Sequence, residues 1–151
     1  MSMPTKIIEK RMAAFMEACR GQDVKVTHQR IEIYREVASS DLHPDVNTIY
    51  QRVKKRIPTI ALDTVYRNLK FLADHGLVTI LGLSREHLRV DANLEPHHHF
   101  VCVKCGTIRD FISTELGKLT APKETRQFGR SISVQVEVKG VCGRCQEPAK
   151  K

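Results

Sequence analysis

Residues Glu95–Gly106 read EPHHHFVCVKCG, and this stretch divides the chain. Upstream of it, apolar residues recur at helical spacing. Downstream, they alternate as in strands. The stretch itself packs three histidines and two cysteines into nine residues. Cys102-Val-Lys-Cys105 has a counterpart, Cys142-Gly-Arg-Cys145, after a gap of 36 residues. Two intervening residues let the chain turn so that both sulfurs of a pair face one point. Gly106 and Gly143 are placed to help. Two such pairs complete a tetrahedral thiolate set, the closed geometry of structural zinc. The ion would clamp the first strand of a small domain to its C-terminal tail. A redox dithiol would call for a βαβ context and an iron–sulfur cluster for ferredoxin spacing, and neither is present.

The histidines can be read in two ways. On a strand, His97 and His99 point to one face and His98 to the other, so His97 and His99 form the natural chelating pair. Imidazole suits several transition metals, and nearby carboxylates shift the preference toward Fe(II) or Mn(II). The same residues could equally be polar strand and hinge positions holding no metal.

Working outward, His99–Val103 and Thr107–Ile112 read as paired strands. Residues 113–127 are helix-compatible, with Pro122 inside. Ser131–Val138 alternates as a half-buried strand, with Ile132, Val134, Val136 and Val138 inward. A domain this small is expected to need a metal staple, a dimer partner or both. Residues 92–97, ANLEPH, read as a hinge. Upstream, residues 4–20 form an amphipathic helix whose apolar face includes Cys19, read as core. Thr27 caps a second helix carrying Tyr34, and Asp41-Leu-His-Pro44 breaks it. A third helix carries Tyr50 and stops at Pro58. Thr59 caps a fourth, roughly Ala61 to His75, closed by Gly76. The runs Leu77–Leu81 and Glu86–Asp91 form a hairpin around Gly82 and Ser84. Helices followed by a hairpin suggest a winged helix-turn-helix over 1–91. The fold class is then α+β, with residues 98–151 as a small αβ dimerisation and metal-binding domain.

The net charge of +8 favours a polyanionic partner, nucleic acid before membrane. It is spread evenly: residues 1–91 hold 15 Lys/Arg against 11 Asp/Glu, and residues 92–151 hold 10 against 6. Charge alone therefore does not locate the partner. The absence of tryptophan argues against a large aromatic pocket for a small organic substrate. No apolar run suggests a leader or a membrane span, so a cytoplasmic protein with reduced thiols is expected.

The segments K-V-T-H-Q-R (25–30), L-H-P-D (42–45), T-V-Y-R-N-L (64–69), H-H-H-F-V-C-V-K-C-G (97–106) and V-C-G-R-C (141–145) occur in order over nearly the whole chain. Together they resemble the ferric uptake regulator (Fur) family of dimeric, metal-dependent bacterial repressors. The resemblance implies structural Zn(II) on Cys102, Cys105, Cys142 and Cys145. It implies a regulatory Fe(II) or Mn(II) site on His43, Asp91, His97, His99 and Asp110, drawn from both domains, so that metal fixes the two heads of a homodimer for double-stranded operator DNA. It also implies DNA contacts from Tyr66 and Arg67, with Lys25 reaching the minor groove. The fourth helix would enter the major groove, and its polar face offers Thr64, Arg67, Asn68 and Lys70, with Thr64 and Asn68 as further DNA-binding candidates. Arg52, Lys54, Lys55 and Arg56 read as a solvated or phosphate-facing stripe.

Two details resemble the peroxide-sensing PerR branch. Position 110 is Asp, where iron sensors often carry Glu, and residues 111–151 contain no histidine for an additional metal site. The branch implies that peroxide oxidises the ligands matching His43 and His97, releasing metal and DNA. The alternative is an iron-responsive repressor of iron uptake. Rivals of other classes are a zinc metallohydrolase, which would lack both H-E-x-x-H and an evident general base, and a structural zinc-ribbon interaction module.

Overall fold

In the computed structural model, described for residues 3–81 and 88–146, the chain forms two compact units, Met1–Leu94 and Glu95–Lys151. The first contains α1 (Thr5–Gly21), α2 (His28–Ala38), α3 (Val46–Lys54) and α4 (Leu62–Asp74). These are followed by β1 (Thr79–Leu81) and β2 (Arg89–Asp91), paired antiparallel with Ile80 opposite Val90. The expected turn at Gly82 and Ser84, and the start of the second run at Glu86, lie outside the described residues.

Each helix end has a local cause. The Thr27 side chain accepts the Arg30 N–H at 3.2 Å and starts α2. Asp45 caps α3 by accepting the Thr48 N–H at 2.7 Å. Burial works against the Asp45 charge, but those Thr48 bonds and the nearby Arg89 hold its carboxyl below the usual range. Gly76, at φ +70°, takes the left-handed position after α4. Thr59 does not cap α4. Ala61 occupies that position with no side-chain bond, because the helix begins at Leu62, two residues too late for the threonine to serve.

The helices bury one contiguous core. Phe15 stacks on Tyr34 with centroids 4.5 Å apart, and Ile33, Val37, Ile49, Val53, Val65, Leu69 and Leu72 close around them. Cys19 is buried here, as expected of a core position. Each such side chain contributes roughly 1.5–3 kcal/mol on burial. The pattern of four helices and a β-hairpin is a winged helix. Among the described residues, no helix is long and apolar enough to cross a membrane.

The second unit is a three-stranded sheet of β3 (His98–Cys102), β4 (Ile108–Phe111) and β5 (Glu137–Gly140), in the order β4-β3-β5. β3 runs antiparallel to β4 and parallel to β5. Two expectations change here. Residues 113–127 form only two 3₁₀ turns, Leu116–Lys118 and Lys123–Gln127, with Pro122 immediately before the second. Only the end of Ser131–Val138 pairs as a strand. Ile132 is 94% exposed, and Val134 and Val138 are also exposed, so the alternating face does not point inward within one chain. Among the described residues of this unit, Cys102 is the only buried apolar side chain.

Candidate functional site

The cysteine quartet sits where parallel pairing brings two strand ends together. Cys102 ends β3 opposite Gly140 of β5, and Cys142 follows two residues later. Each pair folds into a tight turn. The Gly106 N–H donates to the Cys102 carbonyl at 2.9 Å, and the Cys145 N–H to the Cys142 carbonyl at 2.9 Å. Gly106 needs its φ of +72° for this. Gly143 does not need to be glycine: it opens the short helix α5 (Gly143–Gln146), and a Cβ there would meet nothing. The four sulfurs lie within 4.8 Å of one another, and Cys105 and Cys142 are 3.6 Å apart. Sulfurs sharing a tetrahedral zinc at about 2.3 Å would be about 3.8 Å apart. The set therefore fits structural zinc.

Its electrostatics favour thiolate at one end. Backbone N–H groups of Cys142 and Cys105 lower the Cys102 thiol from 9.0 to about 6. The Thr107 hydroxyl, 3.2 Å from the sulfur, lowers Cys105. Hydrogen bonds between the Cys145 thiol and the Cys142 and Cys105 sulfurs hold its proton and raise that thiol to about 12. A divalent cation would displace that proton.

A second donor set lies in the same unit. His97 Nε2 is 3.0 Å from His99 Nε2, and Asp110 Oδ1 is 3.3 Å from His99 Nε2 and 3.7 Å from His97 Nε2. Donors adjacent on one ion, with metal–nitrogen bonds near 2.1 Å, stand about 3.0–3.4 Å apart. Register explains the convergence, because His99 faces Asp110 across the β3–β4 ladder. The His97 tautomer is fixed as well. Nδ1 donates to the Glu95 carbonyl at 2.6 Å, which leaves the Nε2 lone pair for a metal. His98 points the other way. Its Nδ1 accepts the Val136 N–H at 3.2 Å, and its ring lies against Phe111.

In the first unit, His43 Nε2 and Asp91 Oδ2 meet at 3.4 Å, both buried. His43 has φ +50°, an uncommon conformation for a residue with a Cβ. It is held by the Arg89 guanidinium, which donates to its carbonyl at 3.4 Å, and by the Val90 N–H, which bonds the next carbonyl, Pro44, at 3.1 Å. Asp91 Oδ1 accepts the Asn93 N–H at 2.8 Å, leaving Oδ2 for His43. This imidazole–carboxylate pair suits Fe(II) or Mn(II).

On α4, Arg67 is exposed and pairs with Asp63 at 3.0 Å; Lys70 is exposed and pairs with Asp74 at 3.0 Å. Tyr66 packs partly against the core, and Thr64 is half-buried. Lys25 is exposed. Asn68 is turned inward to Arg30, at 3.3 Å. The basic stripe on α3 divides. Arg56 is tied to Glu32 and, at 2.6 Å, to Glu36, while Arg52 lies 3.9 Å from Glu36. Arg52 and Arg56 are thus committed to α2 rather than freely solvated.

The family model of the ferric uptake regulators matches residues 21–139. The chain belongs to the ferric uptake regulator family. Members are metal-responsive transcriptional regulators, not enzymes, which answers the hydrolase alternative. The peroxide-responsive repressor PerR of Staphylococcus aureus is 31% identical over 147 residues, covering 97% of this chain and 99% of that protein. The Campylobacter jejuni peroxide stress regulator superposes with a TM-score of 0.66 at 28% identity, over 86% of this chain and 98% of the other. The Helicobacter pylori regulator Fur, described as having three functional metal binding sites, gives a TM-score of 0.72 over 95% of this chain and 96% of its own, but its 24% identity supports the fold alone.

Within this Fur-family chain, sequence reasoning missed the supporting residues Arg30, Arg89 and Glu95. Arg30 was visible in K-V-T-H-Q-R without a role. The other two act on or through backbone carbonyls, which leave no spacing signal.

Proposed function

We propose that this chain is a metal-dependent repressor that senses peroxide. His43, Asp91, His97, His99 and Asp110 would together hold one Fe(II) or Mn(II), and the four cysteines a structural Zn(II). The observation that carries the reading is the all-N/O donor chemistry, with two carboxylates beside three imidazoles and one imidazole whose Nδ1 is bonded to the Glu95 carbonyl so that Nε2 faces the other donors. The near full-length similarity to the S. aureus peroxide-responsive repressor supports the branch.

The regulatory donors belong to both units, so binding one ion would select the arrangement of units that grips operator DNA. Without metal, DNA binding must bear the cost of that ordering. Helix α4 would enter the major groove, with Arg67 toward guanine and Tyr66 toward a thymine methyl, while Lys25 reaches the minor groove. The exposed apolar residues of the second unit support a homodimer, which operator half-sites require.

Bound Fe(II) would catalyse the reduction of hydrogen peroxide, lending electrons that the imidazole returns, so that the two-electron oxidation falls on the ligand. His43 and His97 are the side chains proposed to be oxidised. One peroxide oxygen enters an imidazole C–H bond and the other leaves as water. An oxidised imidazole is a poorer ligand, so metal and then DNA are released. Peptide mass spectrometry of Fe(II)-loaded protein, before and after a brief peroxide dose, tests this against a Mn(II)-loaded control. One added oxygen on the His43 or His97 peptide, seen only with iron, is expected. Unmodified histidines would replace peroxide sensing with an iron-responsive repressor.

A further inference from the structure

We infer that Arg30 is the positioning residue of the DNA-reading helix α4: it sets Asn68 and the Lys25 segment around Phe71 instead of serving as a charge for phosphate. The inference rests on the reading of α4 as the DNA-facing helix. The Arg30 guanidinium makes three contacts at once. Nε donates to Asn68 Oδ1 at 3.3 Å, and Nη1 donates to the Lys25 carbonyl at 2.5 Å. Its planar face lies over the Phe71 ring, 3.9 Å from the centroid. The opposite ends of this arrangement are also fixed. Thr27 caps the Arg30 backbone N–H, and Asn68 Nδ2 donates to the Thr64 carbonyl at 2.8 Å. Phe71 is backed by the His75 ring at 4.0 Å, and His75 Nδ1 bonds the Phe71 carbonyl at 2.8 Å.

This changes the role of Asn68. An asparagine that reads adenine uses its oxygen and its NH₂ together. Here the oxygen is taken by Arg30 and one N–H by Thr64, so Asn68 acts as a relay. Base reading then falls to Tyr66 and Arg67, on either side of a locked position. Lys25 joins the same assembly through its carbonyl, which fixes the backbone from which its exposed side chain extends. Only arginine can do this: lysine keeps the charge, but it lacks the planar fork that bonds two acceptors while stacking on a ring.

The test uses the full chain loaded with zinc and manganese, and a duplex that the wild-type protein selects from a random pool. Affinity for that duplex and for a scrambled one is measured over a range of salt for wild type, Arg30→Lys, Asn68→Ala and the double variant. Arg30→Lys is expected to lose about tenfold or more on the selected duplex only, with an unchanged salt slope and melting temperature. The double variant should be no worse than Arg30→Lys, because the two residues act as one unit. An Arg30→Gln variant, which removes the charge, reads the other role: a salt slope lower by about one, with equal loss on both duplexes, would make Arg30 a phosphate contact and overturn the inference. Unchanged affinity would overturn it too. If Arg30→Lys destabilises the fold, Asn68→Ala decides alone: it must show the same selective loss at normal stability, and undiminished selectivity sinks the idea. A pool that wild type fails to enrich would instead refute the DNA-binding reading, and the inference with it.

Discussion

His97 and His98 are adjacent, both buried, and chemically opposite in use. The Glu95 carbonyl leaves His97 with Nε2 as a base, whereas the Val136 N–H occupies His98 at Nδ1. His98→Ala should therefore leave Mn(II) affinity intact. It should lower stability by about 1–3 kcal/mol, because a partly buried backbone N–H loses its acceptor. His97→Ala should lower Mn(II) affinity by more than the roughly 10–100-fold that loss of an outer-shell partner costs. Calorimetric titration and denaturant melts on both variants separate the two cases; equal loss of metal would sink the assignment. The cysteines make a second prediction at this scale. Metal-free protein should lose the folded second unit, so its four thiols should titrate together near the ordinary value of 9.0. The zinc-loaded protein, where the Cys142 and Cys105 N–H groups already favour thiolate at Cys102, should keep its thiolate absorbance well below that pH. Metal-free protein that still shows separate thiol steps would contradict the dependence of the unit on zinc. The four cysteines and the His97–His99 pair were legible from two-residue spacing and strand alternation; His43, Asp91 and Asp110 came only from the family resemblance. The carbonyls that orient them were not legible, since any residue supplies one.

At the scale of elements, α2 and α3 are joined by charge as well as by core. Buried Glu32 accepts bonds from Arg56 and, at 3.0 Å, from Arg35; Glu36 holds the other side of Arg56. The arginines are half in water, but Glu32 is not. Removing Arg56 therefore strands part of a buried carboxylate, while removing Glu32 releases cations that water can take up. Arg56→Ala should cost about 2–3 kcal/mol and Glu32→Gln less, about 1–2 kcal/mol. Urea melts of the two variants check the order, and the reverse order would refute the argument. Arg89 plays a comparable part on β2, whose bond to the His43 carbonyl joins the hairpin to the strained Leu42-His43-Pro44 turn. Arg89→Ala should weaken Mn(II) binding without removing a ligand. The four helices were readable because each carries its own apolar stripe, and Thr27 and Gly76 mark two of their ends; the Asp45 cap of α3 was not read. The second unit was less readable for a physical reason. Alternation in Ser131–Val138 states that one face wants cover, but not whether the cover comes from the same chain. Residues 113–127 lack a stripe, so no burial repays the cost of continuing a helix past Pro122.

For the whole molecule, the two units differ in what holds them. The first has a filled apolar core, and the second offers one buried apolar side chain, Cys102, among its described residues. Its large apolar groups face outward: Ile112 at 83%, Phe128 at 82% and Ile132 at 94% exposure. A sheet of three short strands with so little burial cannot offset the entropy of ordering some fifty residues at about 1–2 kcal/mol each. The deficit must be met by ions and by a second copy. Zinc on the four cysteines would tie the ends of β3 and β5, where the Val103 N–H bonds the Gly140 carbonyl at 2.8 Å, and so close the longest loop in the unit. A partner would cover the outward face. Stripping zinc with a strong chelator should therefore unfold the second unit and dissociate the dimer, while the helical circular dichroism, which resides in α1 to α4, is largely kept. Ile132→Asp, at a 94% exposed position that belongs to neither donor set, should yield a zinc-replete monomer. Its Mn(II) affinity should stay close to wild type, but operator affinity should fall steeply because one head meets only one half-site. Sedimentation velocity with and without chelator reads the first outcome, and the same measurement on Ile132→Asp reads the second. A dimer that survives both treatments would mean that the first unit, not the exposed face of the second, holds the copies together.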